Sequence, residues 1–323
     1  MGANPFESEH PAAYPVGQGA ETLDGVERQP GLGSPIRVQV WFRRGLLGPI
    51  WTALCGALAS GGVTLSAEPL LRLALLALLV DVVWGGLWSA LMATDWATSL
   101  GRWQNWRRGT PVRLLPYTSP DGPAGRLARQ LGHLRSWWTE SAGPTLGPTL
   151  AGLALLLPLA LVMAGVLGVR PLLVTLLAIT LLQFVFAWTG GDARPVPGPQ
   201  ALFEIALPWL AGHVLFALPT LPSIALALAY ALTYAGGLRL AQGWSGLARW
   251  NLGQVAAILV LVAARQPTAA GITGLLLMGQ AMLQPGLIDE ETDQVAPPAA
   301  ARFLRWAQPW LMAAMLVAAW GCG

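Results

Sequence analysis

Carboxylic acids in apolar surroundings are the residues of this chain whose placement most suggests chemistry. Asp81 lies in the run LLALLVDVVWGGLWSALMATDW, and Glu204 lies in a second apolar stretch, nine residues before His213. A charge in hydrocarbon is expensive, so each such group is a candidate for work on a ligand or a proton. At helical spacing Asp81, Trp84, Trp88, Met92 and Asp95 share one face, an aromatic wall with a carboxyl group at each end. That face suits a flat or polyunsaturated ligand. The alternative is a packing face on which Asp81 bonds an Asn, Gln or Ser opposite. Glu204 and His213 point nearly opposite ways on one helix, which argues against a direct acid–base pair. Glu204 is expected to snorkel toward water, and His213 to be a buried hydrogen-bonding group. Asp81 and Glu204 could also be the proton sites of a transporter.

Arg239, Arg249, Asn251 and Gln254 gather near two helix ends. Arginine binds phosphate bidentately, so this group could grip a phosphate, or could simply orient the helices. The run Asp289, Glu290, Glu291, Thr292, Asp293 has hard oxygens that suit Mg²⁺, but it reads as a solvated charge run.

The elements that must position these groups are membrane helices. The chain is 54% hydrophobic and only 11% charged. A soluble domain carries roughly a quarter charged residues. Mean hydropathy is +0.53. All 19 basic residues are arginine, which excludes a lysine Schiff base, a pyridoxal anchor and the phosphate-loop lysine. Two cysteines and three scattered histidines make neither a disulfide framework nor a zinc site. The basic balance comes from arginines flanking apolar segments. It reads as membrane topology, with no nucleic-acid partner expected.

The fold expected is all-α, a polytopic transmembrane bundle of about nine spans. The spans fall near 47–66, 69–93, 146–168, 171–189, 200–218, 221–238, 250–264, 268–285 and 306–321. Pro158 and Pro208 lie inside spans and predict kinks. Residues 1–45 read as a polar, disordered cytoplasmic segment without a secretory signal, and 46–323 as the transmembrane domain. Residues 96–145 form the one large connection, whose stretch 125–138 reads as an amphipathic helix lying on the cytoplasmic interface. Arginine placement puts the N-terminus in the cytoplasm and the C-terminus outside.

The first span, Pro49-Ile-Trp51-Thr-Ala-Leu-Cys55-Gly56-Ala-Leu-Ala-Ser60-Gly61, resembles the Pro-x-Trp-x-x-x-Cys-Gly-x-x-x-Ser-Gly stretch of the chlorophyll and bacteriochlorophyll synthases in the UbiA superfamily of intramembrane prenyltransferases. Thr94-Asp95-Trp96-Ala97-Thr98 sits where that family carries Asn-Asp-Trp/Tyr-x-Asp. The resemblance implies a UbiA-like nine-helix fold in an inner or cytoplasmic membrane. It implies transfer of an isoprenoid chain to a membrane-embedded acceptor, with Asp95 as catalytic and Mg²⁺-holding residue. It also implies that Arg102, Arg107, Arg108, Arg239 and Arg249 face a diphosphate. Thr94, Thr98 and Arg102 stand at the other positions of the family's first aspartate motif, and Tyr230 to Gly246 holds no acid where the second belongs. A relative that only binds a lipid, quinone or pigment, or that serves as an assembly subunit, is the alternative.

Overall fold

Away from water only a helix satisfies its own backbone within one segment, so long apolar runs become helices. The computed structural model describes residues 48–64, 66–105, 122–192, 196–285, 287 and 297–323, with backbone only at 102–105 and 297. Ten helices and no strand occur among the described residues. They are α1 (Pro49–Leu58), α2 (Ala67–Met92), α3 (Trp96–Asn105), α4 (Pro123–Leu167) and α5 (Val169–Thr189). Next come α6 (consecutive stretches Pro197–Ala201, Leu202–Ala206 and Leu207–Phe216), α7 (Leu221–Ala241), α8 (Leu247–Ala263), α9 (Pro267–Ala281) and α10 (Pro297–Cys322). Four of these helices, α2, α4, α5 and α7, are long and apolar enough to cross a membrane. The expected segment 1–45 lies outside the described residues.

Among the described residues the core has three clusters, the smallest around Trp96, Trp137, Ala142 and Leu146, and α6 belongs to the two larger ones. Ala201, Ile205 and Trp209 pack with residues of α1, α7, α8, α9 and α10. Phe203, Leu207, Ala211 and Leu215 pack with α2, α4 and α5. These two sets lie about 200° apart on the wheel, so α6 is apolar and buried on opposite faces. Its crossing with α1 is a backbone contact. A Cβ added to Gly56 would run into the Trp209 carbonyl, and one added to Gly212 would run into the Ala53 carbonyl. Small residues are what allow such an approach between membrane helices.

The connection expected over 96–145 is organised differently. Trp96–Asn105 forms α3, and the amphipathic stretch is not a separate helix. It is the beginning of α4, which runs unbroken for 45 residues. At 1.5 Å per residue this helix is about 67 Å long, roughly twice the hydrocarbon thickness. Pro144 offers the helix no N–H, but the chain passes it through a widened turn at Trp138–Ala142, where Gly143 N–H bonds the Trp138 carbonyl. The wider turn accommodates the missing proline N–H and its ring. Leu127, Leu131, Leu134 and Trp138 stay exposed along this part of α4. At the other end of α4, Gly168 alone links it to α5 at φ 125°, a backbone angle open to glycine and closed to other residues.

Two reciprocal amide pairs join α8 to its successor. Asn251 and Gln284 exchange bonds of 3.1 and 2.8 Å. Gln254 and Gln280 exchange bonds of 3.0 and 2.9 Å, and the Trp250 indole also donates to Gln280.

The glycine contact gives a direct test. Gly212→Val places side-chain atoms on the α1 backbone and is expected to cost about 3 kcal/mol. Gly147→Ala adds a Cβ that meets nothing within 4 Å and is expected to raise stability by about 0.5–1 kcal/mol. Thermal unfolding of the detergent-solubilised variants measures both; equal midpoints for the two would remove the crossing from its central role.

Candidate functional site

Three widened turns, in which an N–H reaches back five residues instead of four, interrupt the described helices. Each carries one carboxylic acid: Asp81 in Leu78–Val83, Glu140 in Trp138–Ala142 and Glu204 in Leu202–Ala206. Two of them have a proline cause. Pro144 and Pro208 lie four residues after Glu140 and Glu204, and neither offers those carbonyls an N–H. The Thr52 hydroxyl of α1 approaches the orphaned Glu204 carbonyl at 3.3 Å. The widened turn in α2 has no such cause, because its one proline, Pro69, precedes it. Such turns concentrate at functional sites.

Asp81 is 8% exposed, Trp84 1% and Trp88 7%. Phe203 of α6 covers both indoles, with ring centroids 5.9 Å from Trp84 and 5.0 Å from Trp88. The aromatic wall expected on α2 therefore faces the interior of the protein. Asp95 is not part of it, since α2 ends at Met92. The expected bond from Asp81 to an Asn, Gln or Ser is absent. Among the described residues no hydrogen-bond or ionic partner reaches its carboxyl group.

Glu204 is 5% exposed and does not snorkel. The Gln200 amide donates to Oε1 at 2.9 Å, and the Tyr234 hydroxyl of α7 donates to Oε2 at 2.7 Å. The shape of α6 explains this: its widened turn lies between two packed layers, too far inside for the side chain to reach water. Gln200 is one helical turn before Glu204, a spacing visible in the sequence. Tyr234 and Phe203 come to the acids only through tertiary packing.

His213 sits in a closed relay. The Leu218 carbonyl can only accept, so Nε2 donates to it at 3.0 Å. Nδ1 then accepts from the Ser223 hydroxyl at 2.9 Å, and the Trp209 indole donates to Ser223 Oγ at 3.0 Å. Each polar group is matched, as burial demands. This is a hydrogen-bonding histidine that pins α6 to α7.

The other expected site residues are held apart. Asp95 caps α3, its Oδ1 accepting from Thr98 N–H at 3.0 Å, while the Gly191 carbonyl accepts from Trp96 and Ala97. Arg102 lies on α3, and Arg107, Arg108 and the acidic run 289–293 lie outside the described residues. Arg239 donates to the Ser245 carbonyl and stacks 5.3 Å over Trp244. Arg249 is exposed, and Asn251 is engaged by Gln284. Asp95, Arg239 and Asn251 thus each have a local partner of their own. A resident Mg²⁺ wants several oxygen ligands. Among the described residues no three His, Cys, Asp or Glu side chains gather to hold a metal, and Asp95 does not fit the role alone.

Tyr234→Phe leaves Glu204 Oε2 buried without a donor and is expected to cost about 1–3 kcal/mol. Gln200→Leu does the same at Oε1, and the double variant should lose more than the sum. Thermal midpoints of the three variants check this, and strict additivity would show that the two bonds do not act as one network.

Compared with protein-family profiles, curated proteins and solved structures, the chain matches none.

Proposed function

We propose that this protein is a nine-span membrane protein that holds a lipid-soluble ligand, of the isoprenoid, lipid or pigment kind, against the aromatic wall of α2. The observation that carries this reading is the Asp81 carboxyl group, buried without a partner among the described residues on a widened turn that no proline explains, on the helical face of Trp84 and Trp88. An aromatic lining with one placed polar group is the usual make-up of a ligand site. A group so costly to bury is a functional candidate first. The scaffold is UbiA-like in this reading, with α1, α2 and α4 to α10 as the nine spans.

Transfer of an isoprenoid chain is the second reading. The exposure of Asp95 at the head of α3, where the sequence resembles the prenyltransferase motif, favours it. Mass spectrometry of protein purified in mild detergent separates the two. A stoichiometric lipid-like molecule that is lost in a Trp84→Ala, Trp88→Ala variant supports binding. Turnover of a prenyl diphosphate that disappears in Asp95→Ala supports transfer. A ligand-free, inactive preparation counts against both.

The arginine pattern places the N-terminus in the cytoplasm and the C-terminus on the opposite face. The two cysteines report on this. Cys55 is fully buried and Cys322 is partly exposed near the end of α10. A membrane-impermeant maleimide added outside intact cells is expected to label Cys322 and spare Cys55. Labelling of Cys322 only after the membrane is opened would reverse the orientation.

A further inference from the structure

Three features define what Asp81 can recognise. First, an ionised carboxylate only accepts hydrogen bonds, so its complement is a donor, and a charged donor suits it best. Second, no described residue supplies one. The chain has no lysine, and Arg72, nine residues before Asp81, is bonded to Glu68 at 2.6 Å. Third, the side chains beside it on the same helical face are indoles, with a phenyl ring packed on both. The negative faces of aromatic rings attract cations, indole most strongly. A carboxylate on the same helical face as two indoles, with no bonding partner among the described residues, suits a cation. Asp81 keeps 8% of its surface open, whereas the Trp84 indole nitrogen is sealed and unpartnered. The carboxyl group is therefore the polar group within reach of an incoming molecule.

We infer that the α2 site selects a lipid-soluble cation, a protonated or quaternary ammonium on an apolar body, with Asp81 as its counter-ion and Trp88 as a cation–π contact. This rests on the reading that α2 lines a ligand site and narrows the ligand to one charge class. The ammonium head sits at the widened turn, where Asp81 keeps its opening.

The test uses the full chain in nanodiscs of digalactosyldiacylglycerol, a neutral lipid without an ammonium group, with empty nanodiscs as baseline. The probes are radiolabelled decyltrimethylammonium, its uncharged carbon isostere 2,2-dimethyldodecane, and geranylgeraniol as a neutral isoprenoid. Wild type is expected to bind the ammonium saturably and at least about tenfold more tightly than the isostere, a difference of about 1.4 kcal/mol. Asp81→Asn is expected to abolish that preference, Asp81→Glu to keep it, and Trp88→Leu to weaken it about two- to fivefold. If Asp81→Asn does not fold, wild-type selectivity and Asp81→Glu decide the matter. Equal binding of ammonium and isostere overturns the inference. Geranylgeraniol binding without ammonium selectivity overturns it while leaving the lipid-site reading intact, and binding of no probe removes both.

Discussion

The contact between the α1 and α6 backbones at Gly56 and Gly212 is the constraint on which the rest of the structure depends. Helices in lipid gain nothing from excluding water, so close van der Waals approach has to hold them together. With no side chain between them, α1 can lie directly on α6. The Thr52 hydroxyl, which also reaches the Pro49 carbonyl at 2.9 Å, then lies 3.3 Å from the Glu204 carbonyl that Pro208 leaves orphaned and shares its one proton between the two. One crossing thus stabilises a proline-bearing helix that would otherwise expose an unpaired polar group inside the protein. It also frees the opposite face of α6 to carry Phe203 to the indoles of α2.

The two buried acids illustrate two solutions to one physical problem. Glu204 receives one donor at each oxygen and is bound into the packing of α6 and α7. Asp81 receives none from the described residues, and the backbone around it is widened without a proline to demand it. Protein interiors satisfy their polar groups almost everywhere. The contrast between a matched acid and an unmatched one, on facing helices, is what the proposed ligand site rests on.

Much of this was legible beforehand, for identifiable reasons. Nine apolar runs stood out by composition, and helices lie in all nine, but among the described helices four are long and apolar enough to cross a membrane. Asp81 and Glu204 announced themselves by their cost. Gln200 was readable from its four-residue offset to Glu204. The single long α4 was not, because Pro144 and the glycines around it look like breaks, and only a widened turn lets a helix continue through them. Tyr234 and Phe203 could not be found, since helix pairing decides which distant residues meet. Asn251 and Gln254 were visible but ambiguous. Their spacing suited an anion as well as it suited the amides of Gln280 and Gln284.

Those amides bear on how the chain enters a bilayer. α8 and α9 have 17 and 15 residues, short for a span of about 20. Each also brings carboxamides that hydrocarbon would reject singly. Paired, they cancel one another's exposed dipoles at four bonds. The favourable unit for insertion is therefore the hairpin, not the helix.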